Sequence, residues 1–229
     1  MQIEKKENRK DLIISICVFL SGFSCFAQLY YFQPLLPDLA KDFILSASES
    51  SFAISFSTLG MVFGLFTTMF VADRIPRKKM IGTGLLSSSI FSVAASFSPT
   101  FLPLILLSAA KGFLLSGATS VSMAYIAEEV SSRNKGKIMG LYIAGNALGG
   151  MAGRVISSWI GALYTWRIAS VSIGLICALF AILFLLFSPR STNFMPRKES
   201  FHTLIIANLQ LITSKALIPF YLTGGLILG

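Results

Sequence analysis

Charge is scarce in this sequence: only 13% of its 229 residues are Asp, Glu, Lys or Arg, and ten of them are acidic. A water-soluble domain of this length needs a charged surface to stay dissolved, so the soluble globular class is excluded. There is one histidine, His202, and no nucleophile–base pair or metal-ligand set accompanies it. An enzyme is therefore not expected, and neither are catalytic residues, a metal or a cofactor. The three cysteines, Cys17, Cys25 and Cys177, all fall inside apolar runs. They are read as small packing residues without a disulfide framework.

What the sequence has instead is length of apolar run, with 54% hydrophobic residues and a mean hydropathy of +0.74. A bilayer core of about 30 Å is crossed by about 20 apolar residues rising about 1.5 Å each in a helix. Six segments reach that length: Leu12–Leu36, Ser51–Ala72, Met80–Ser98, Leu102–Ala127, Ile138–Thr165 and Ile168–Ser188. A seventh begins near Ala216 and stops at Gly229. As a helix it would reach only about 21 Å, too short to cross. The first segment is longer than the apolar part of a signal peptide, and no A-x-A-like cleavage site follows it, so it is expected to be retained.

The net charge of +9 is a matter of topology. Basic residues precede the first segment (Lys5, Lys6, Arg9, Lys10) and lie between the second and third (Arg74, Arg77, Lys78, Lys79). Others lie between the fourth and fifth (Arg133, Lys135, Lys137) and after the sixth (Arg190, Arg197, Lys198, Lys215). Together they are 15 of the 19 Lys and Arg, all on one side of an antiparallel bundle. The opposite loops hold Lys41 and Arg167. By the positive-inside rule the basic side, with the N-terminus, is cytoplasmic. The partner of these charges is the lipid bilayer, and no nucleic acid is expected.

Connections between the six segments are short, and Pro37, Pro99 and Pro103 mark helix ends in the outer loops. Tyr30, Tyr31, Phe32 and Trp166 fall near outer helix ends, where an aromatic interfacial belt accounts for them. Residues 1–188 are thus expected to form a six-helix transmembrane bundle and 189–215 a basic cytoplasmic linker. Within the linker, Phe201–Ile212 could lie on the membrane as an amphipathic helix. Residues 216–229 would start helix seven.

Between the second and third segments the chain reads Val71-Ala72-Asp73-Arg74-Ile75-Pro76-Arg77-Lys78-Lys79. This resembles the loop pattern of the major facilitator superfamily, roughly G-x-x-x-D-R-x-G-R-K. Asp73, Arg74, Arg77 and Lys78 match, while Met69 and Pro76 replace the two glycines. The resemblance implies a conformational latch, a carboxylate at a helix end among cations that bond a neighbouring helix. Pro76 cannot take the positive φ open to glycine. A topogenic basic loop with an incidental Asp is the alternative.

In the fifth segment Gly145, Gly149, Gly153, Ser157 and Gly161 recur every four residues. Such a ridge of small residues lets helices approach closely where lipid supplies no hydrophobic drive. The run Gly145–Arg154 also resembles the glycine motif of drug:proton antiporters in this superfamily, with Gly150 where a proline often stands. Gln33-Pro34-Leu35-Leu36-Pro37 and Ala124-Tyr125-Ile126-Ala127-Glu128-Glu129 are similar to the helix-one ending and helix-four exit of bacterial sugar-efflux-like and drug-efflux-like members. The resemblances run from the first segment to the fifth in order.

Two cations fall inside membrane segments: Lys111, close to midplane, and Arg154, nearer the outer leaflet. Each costs at least about 2.5–3.5 kcal/mol to bury in hydrocarbon, so each should face a wet cavity or a partner. Related transporters carry an arginine on helix four where this chain has Ser108, one turn before Lys111. Arg154 and Lys111 are candidates to bind an anionic substrate or to modulate a proton site; structural pairing is the alternative. Gln28 is a candidate substrate contact, or an interhelical hydrogen bond. No Asp or Glu lies well inside the six segments, so any coupling carboxylate is Asp73 or Asp11 at a helix end, or belongs to a second half.

The expected fold is an all-α integral membrane protein: a six-helix N-terminal bundle of the major facilitator type plus a truncated seventh helix. The resemblance implies a multi-pass protein of the bacterial inner membrane that transports a small solute by alternating access, by efflux with proton antiport. Such transporters have two six-helix halves around a midplane site. The chain is accordingly expected to be a truncated, inactive form, or a half-transporter that pairs with a second half or as a homodimer. A structural or regulatory helix bundle is the alternative from another class.

Overall fold

The computed structural model describes residues 2–196, with side chains from residue 7 onward; the expected linker helix at Phe201–Ile212, with His202, and the start of helix seven lie outside the described residues. Helix α1 spans Gln2–Tyr30, ten residues earlier than the apolar run suggests. It ends at Tyr30 because Pro34 has no N–H to give and its ring would strike the Tyr30 carbonyl. A 3-10 turn at Gln33–Leu35 and a short helix α2, Leu36–Phe43, follow, each with proline at its start. The single helix expected over Leu12–Leu36 is thus broken where proline chemistry requires. Ile44, in the left-handed region at φ 55°, turns the chain into α3, Ala47–Ser50, which Ser46 and Glu49 close with a reciprocal capping box.

The long helices then run in sequence: α4, Phe52–Val71; α5, Arg77–Ser96; α6, Phe101–Glu129; α7, Lys135–Leu163; and α8, Trp166–Phe187. Among the described residues there is no strand. Four helical stretches are long and apolar enough to cross a membrane: Glu7–Phe43, Ala47–Arg74, Phe101–Glu129 and Trp166–Phe187. The other two expected spans, α5 and α7, are full-length helices diluted by serine and glycine. In α5 Ser88, Ser89, Ser92 and Ser96 are buried, and Ser88, Ser89 and Ser96 return their hydroxyl protons to carbonyls three or four residues back.

Packing follows residue size. Helix α4 lies mainly on α6, α1 on α7, and α5 between α6 and α8. A Cβ on Gly112 of α6 would overlap the Ser57 carbonyl of α4, and one on Gly149 of α7 would overlap the Phe23 carbonyl of α1. Gly145 and Gly153 stand on either side of that contact, against Phe19 and Ala27. Outward faces are apolar: Phe63 and Phe66 on α4, and Leu175 and Leu186 on α8, are all exposed. In water such a surface would be an aggregation liability; in hydrocarbon it is the solvated face.

Gly149→Val should therefore separate α1 from α7 and destabilise the bundle by about 1–3 kcal/mol or more, seen as lost monodisperse protein in fluorescence-detected size exclusion. Gly140→Ala, where no neighbour lies within 4 Å, should elute unchanged. Identical behaviour of the two variants would remove the packing role from the α7 ridge.

Candidate functional site

Three groups of polar residues stand out, one at the basic end of the bundle, one in its interior and one in a groove on its surface. At the basic end, Arg77 opens α5 and is 8% exposed. Its guanidinium donates to Asp73 at 2.9 Å, to the Ala72 carbonyl at 2.6 Å, and through Nε and Nη2 to Glu128 of α6 at 3.2 Å each. Phe194 lies over the same group at 5.0 Å. The loop reaches this arrangement without a positive φ: Pro76 sits at φ −52°, and the preceding Ile75 is extended as proline requires. Lys78 turns the other way, donating its ammonium to the Ser188 carbonyl at 2.5 Å. Arg74 is exposed. Of the four residues expected to form a latch, Asp73, Arg77 and Lys78 are hydrogen-bonded and Arg74 is exposed.

Sequence reasoning named Asp73 and Asp11 but not the two acids of α6 that receive these cations. Glu128 closes the Arg77 cluster, while Glu129 accepts from Lys10 at 2.8 Å, Thr192 at 2.9 Å and the Asn193 amide at 2.8 Å. One carboxylate thereby ties the start of α1 to the segment after α8. Asp11, 4% exposed, accepts from the Ser131 and Asn134 side chains at 2.5 and 2.8 Å. The signal available was the adjacency of two acids at the end of an apolar run, on the same side as the Arg77 loop.

In the interior, Lys111 is fully buried on α6. Its ammonium has no hydrogen-bond partner and rests over the rings of Tyr31, at 4.5 Å, and Phe32, at 4.8 Å. Desolvated cation–π contacts contribute about 2 kcal/mol or more, a sizeable offset to the burial of the charge. Tyr31 and Phe32 are therefore not an interfacial belt: both are buried, because the break before Pro34 folds them back into the bundle. Trp166 is buried as well, and its indole donates to Asp42 at 2.9 Å beside the Arg167–Asp42 ion pair. Gln28, also fully buried, accepts from Ser92 at 3.2 Å and donates to Ser24 at 3.4 Å. It joins α1 to α5.

Arg154 lies elsewhere. Its guanidinium covers the Tyr30 ring at 4.6 Å, in a groove of about 300 Å³ between α1 and α7. Phe26, Tyr30, Asn146, Gly150 and Met151 share its walls. The Arg154 Nε and the Asn146 carbonyl oxygen are both buried and without hydrogen-bond partners. Lys111 and Arg154 therefore belong to separate places, one inside the bundle and one on its flank. Glycines 145, 149 and 153 lie along the α7 seam that positions this groove. Among the described residues, no group of three His, Cys, Asp or Glu side chains could hold a metal.

A sequence profile of the Major Facilitator Superfamily matches residues 15–229. A transporter of Buchnera aphidicola subsp. Schizaphis graminum is 35% identical over 227 residues, covering 99% of this chain and 55% of that protein. The inner membrane transport protein YnfM of Escherichia coli (strain K12) is 35% identical over 205 residues, 90% of this chain and 49% of its own length. The crystal structure of the human organic anion transporter MFSD10 (TETRAN) shares the fold, with a TM-score of 0.66 at 18% identity over 85% of this chain and 52% of that one. The chain spans about half the length of the curated relatives it matches.

Arg77→Gln should lower stability by about 1.5–3 kcal/mol, the range for hydrogen bonds to charged groups. In a double-mutant cycle read by thermal unfolding, Arg77→Gln and Glu128→Gln should be non-additive, whereas Arg74→Gln should shift stability by no more than about 0.5 kcal/mol. Additivity of the first pair would show that the two side chains do not work together.

Proposed function

The chain belongs to the Major Facilitator Superfamily, and on that premise we propose that its bundle is the N-terminal half of a transporter that moves a small anionic solute by alternating access. The observation that carries the choice of substrate is the Arg154 groove. A guanidinium with an unpaired Nε lies there over an aromatic face. A carboxylate or phosphate-like group would complete the Arg154 hydrogen bonds. Lys111 adds a second, interior positive charge and raises the potential felt by an anion that approaches through the bundle. Gln28, tied to Ser24 and Ser92, serves in packing.

Efflux by proton exchange is the direction we favour, on the similarity of the α7 glycine run to that of antiporters. The membrane is the bacterial inner membrane, with the basic end cytoplasmic; the charge asymmetry supports this, and so does the inner-membrane relative. Asp11 and Asp73 are already bonded to Ser131, Asn134 and Arg77. The carboxylate that carries the proton is thus assigned to the complementary half. That half is required because alternating access rocks two bundles about a shared midplane site. The relatives are about twice as long as this chain, which supports the need.

In membrane vesicles containing this chain with a complementary half, organic anions should collapse an imposed pH gradient. Arg154→Gln should raise the half-maximal concentration about tenfold or more, since loss of a charge-assisted bond costs about 1.5–3 kcal/mol. Unchanged affinity and unchanged pH dependence would remove Arg154 from the binding site. Vesicles holding this chain alone should show no flux, and measurable flux there would overturn the need for a second half.

A further inference from the structure

The start of α5 and the segment that follows α8 enclose a cavity of about 380 Å³ at the basic end, lined by Pro76, Lys78, Lys79, Leu185, Arg190 and Ser191. Half of these residues are cationic and none is acidic. Two other cations at this end have counter-ions: Arg77 meets Asp73 and Glu128, and Lys10 meets Glu129. In the cavity the Lys78 ammonium donates to a neutral acceptor, the Ser188 carbonyl, and Arg190 beside it is of like sign. Lys79 and Arg190 are exposed. Ser191 accepts the Lys78 backbone amide at 3.0 Å, which leaves its own hydroxyl proton for a further acceptor.

The surroundings narrow the ligand. Leu185 forms one wall, and on the same last turn of α8 Leu186 and Phe187 are 70% and 64% exposed. The cavity therefore opens where the apolar, lipid-facing surface of the bundle gives way to its charged end. A ligand that suits both parts carries an anionic head and an apolar tail. We propose that this cavity binds the phosphate headgroup of an anionic phospholipid, with its acyl chains along the exposed face of α8. Basic pockets between helices near a membrane surface hold such headgroups by charge-assisted hydrogen bonds. Inorganic phosphate offers the same anion without the chains. A bound lipid would bridge α5 to the segment after α8. It would thereby brace the loop that presents Arg77 to Glu128, whatever solute the protein carries.

The test uses the full 229-residue chain in neutral detergent, with thermal unfolding as the readout and no transport assay. Phosphatidylglycerol should raise the unfolding midpoint by at least about 3 °C, an effect that grows with lipid concentration. Phosphatidylcholine and inorganic phosphate at the same concentration should not. Lys79→Gln combined with Arg190→Gln changes only exposed side chains, so the fold should survive, and the phosphatidylglycerol shift should disappear. Lys135→Gln combined with Lys137→Gln removes two basic residues from the α6–α7 side of the same end and should leave the shift intact. An equal shift with phosphatidylcholine would overturn the proposal, because no headgroup would then be recognised. An equal shift with inorganic phosphate would overturn it in favour of a free-anion site. Retention of the shift in Lys79→Gln/Arg190→Gln, or its loss in Lys135→Gln/Lys137→Gln, would assign the effect to diffuse surface charge and overturn it too.

Discussion

Everything in this bundle depends on how closely its helices can approach. Lipid is as apolar as leucine, so the hydrophobic effect that drives soluble helices together is missing inside a bilayer. What remains is van der Waals contact and interhelical hydrogen bonding, both of which fall off steeply with distance. Gly112 against the Ser57 carbonyl and Gly149 against the Phe23 carbonyl put two helix pairs at the closest range backbone allows. The buried serines of α5 are the same solution in another residue type. Their hydroxyls are satisfied within their own helix, so a polar side chain can pack as though it were alanine.

Close packing decides where charge can go. At the basic end, acids on α6 pair with a cation that opens α5 and one on α1. The interior then has room for one ammonium, and it is held by ring faces in place of a carboxylate. The surface groove keeps a guanidinium whose Nε lacks a hydrogen-bond partner. Three environments thus give cations of the same formal charge three different tasks. They pair with acids at the helix ends, rest on ring faces inside the bundle, and line a groove on its flank. The Arg77 cluster and the Arg154 groove share no residue.

The six long helices were legible in the sequence because each needs only a run of suitable length and composition, and a bilayer enforces both. Their ends were read to within a few residues where a proline or a charge stands. The first helix was misjudged at both ends. Its start has no apolar signal, since a helix can continue past the membrane surface, and Pro34 stops it inside an apolar run. The aromatic residues after it were misplaced for a related reason. Tyr31 and Phe32 look like interfacial anchors by position, yet the proline break turns them inward onto Lys111. The acidic partners Glu128 and Glu129 were visible as letters, but nothing local says which distant cation each will meet.

The sequence by itself determined the all-helical membrane class, the side on which the basic residues gather, and the ridge of small residues along α7. Each of these follows from composition and periodicity along one helix, where physics acts over a few neighbouring residues. Only the tertiary structure decided that Lys111 lies beneath two rings while Arg154 opens onto a groove, and that Arg77 reaches Glu128 from 51 positions away. Those outcomes depend on which helix faces stand opposite one another, and that is set by the fit of small residues to backbone between segments far apart in the chain.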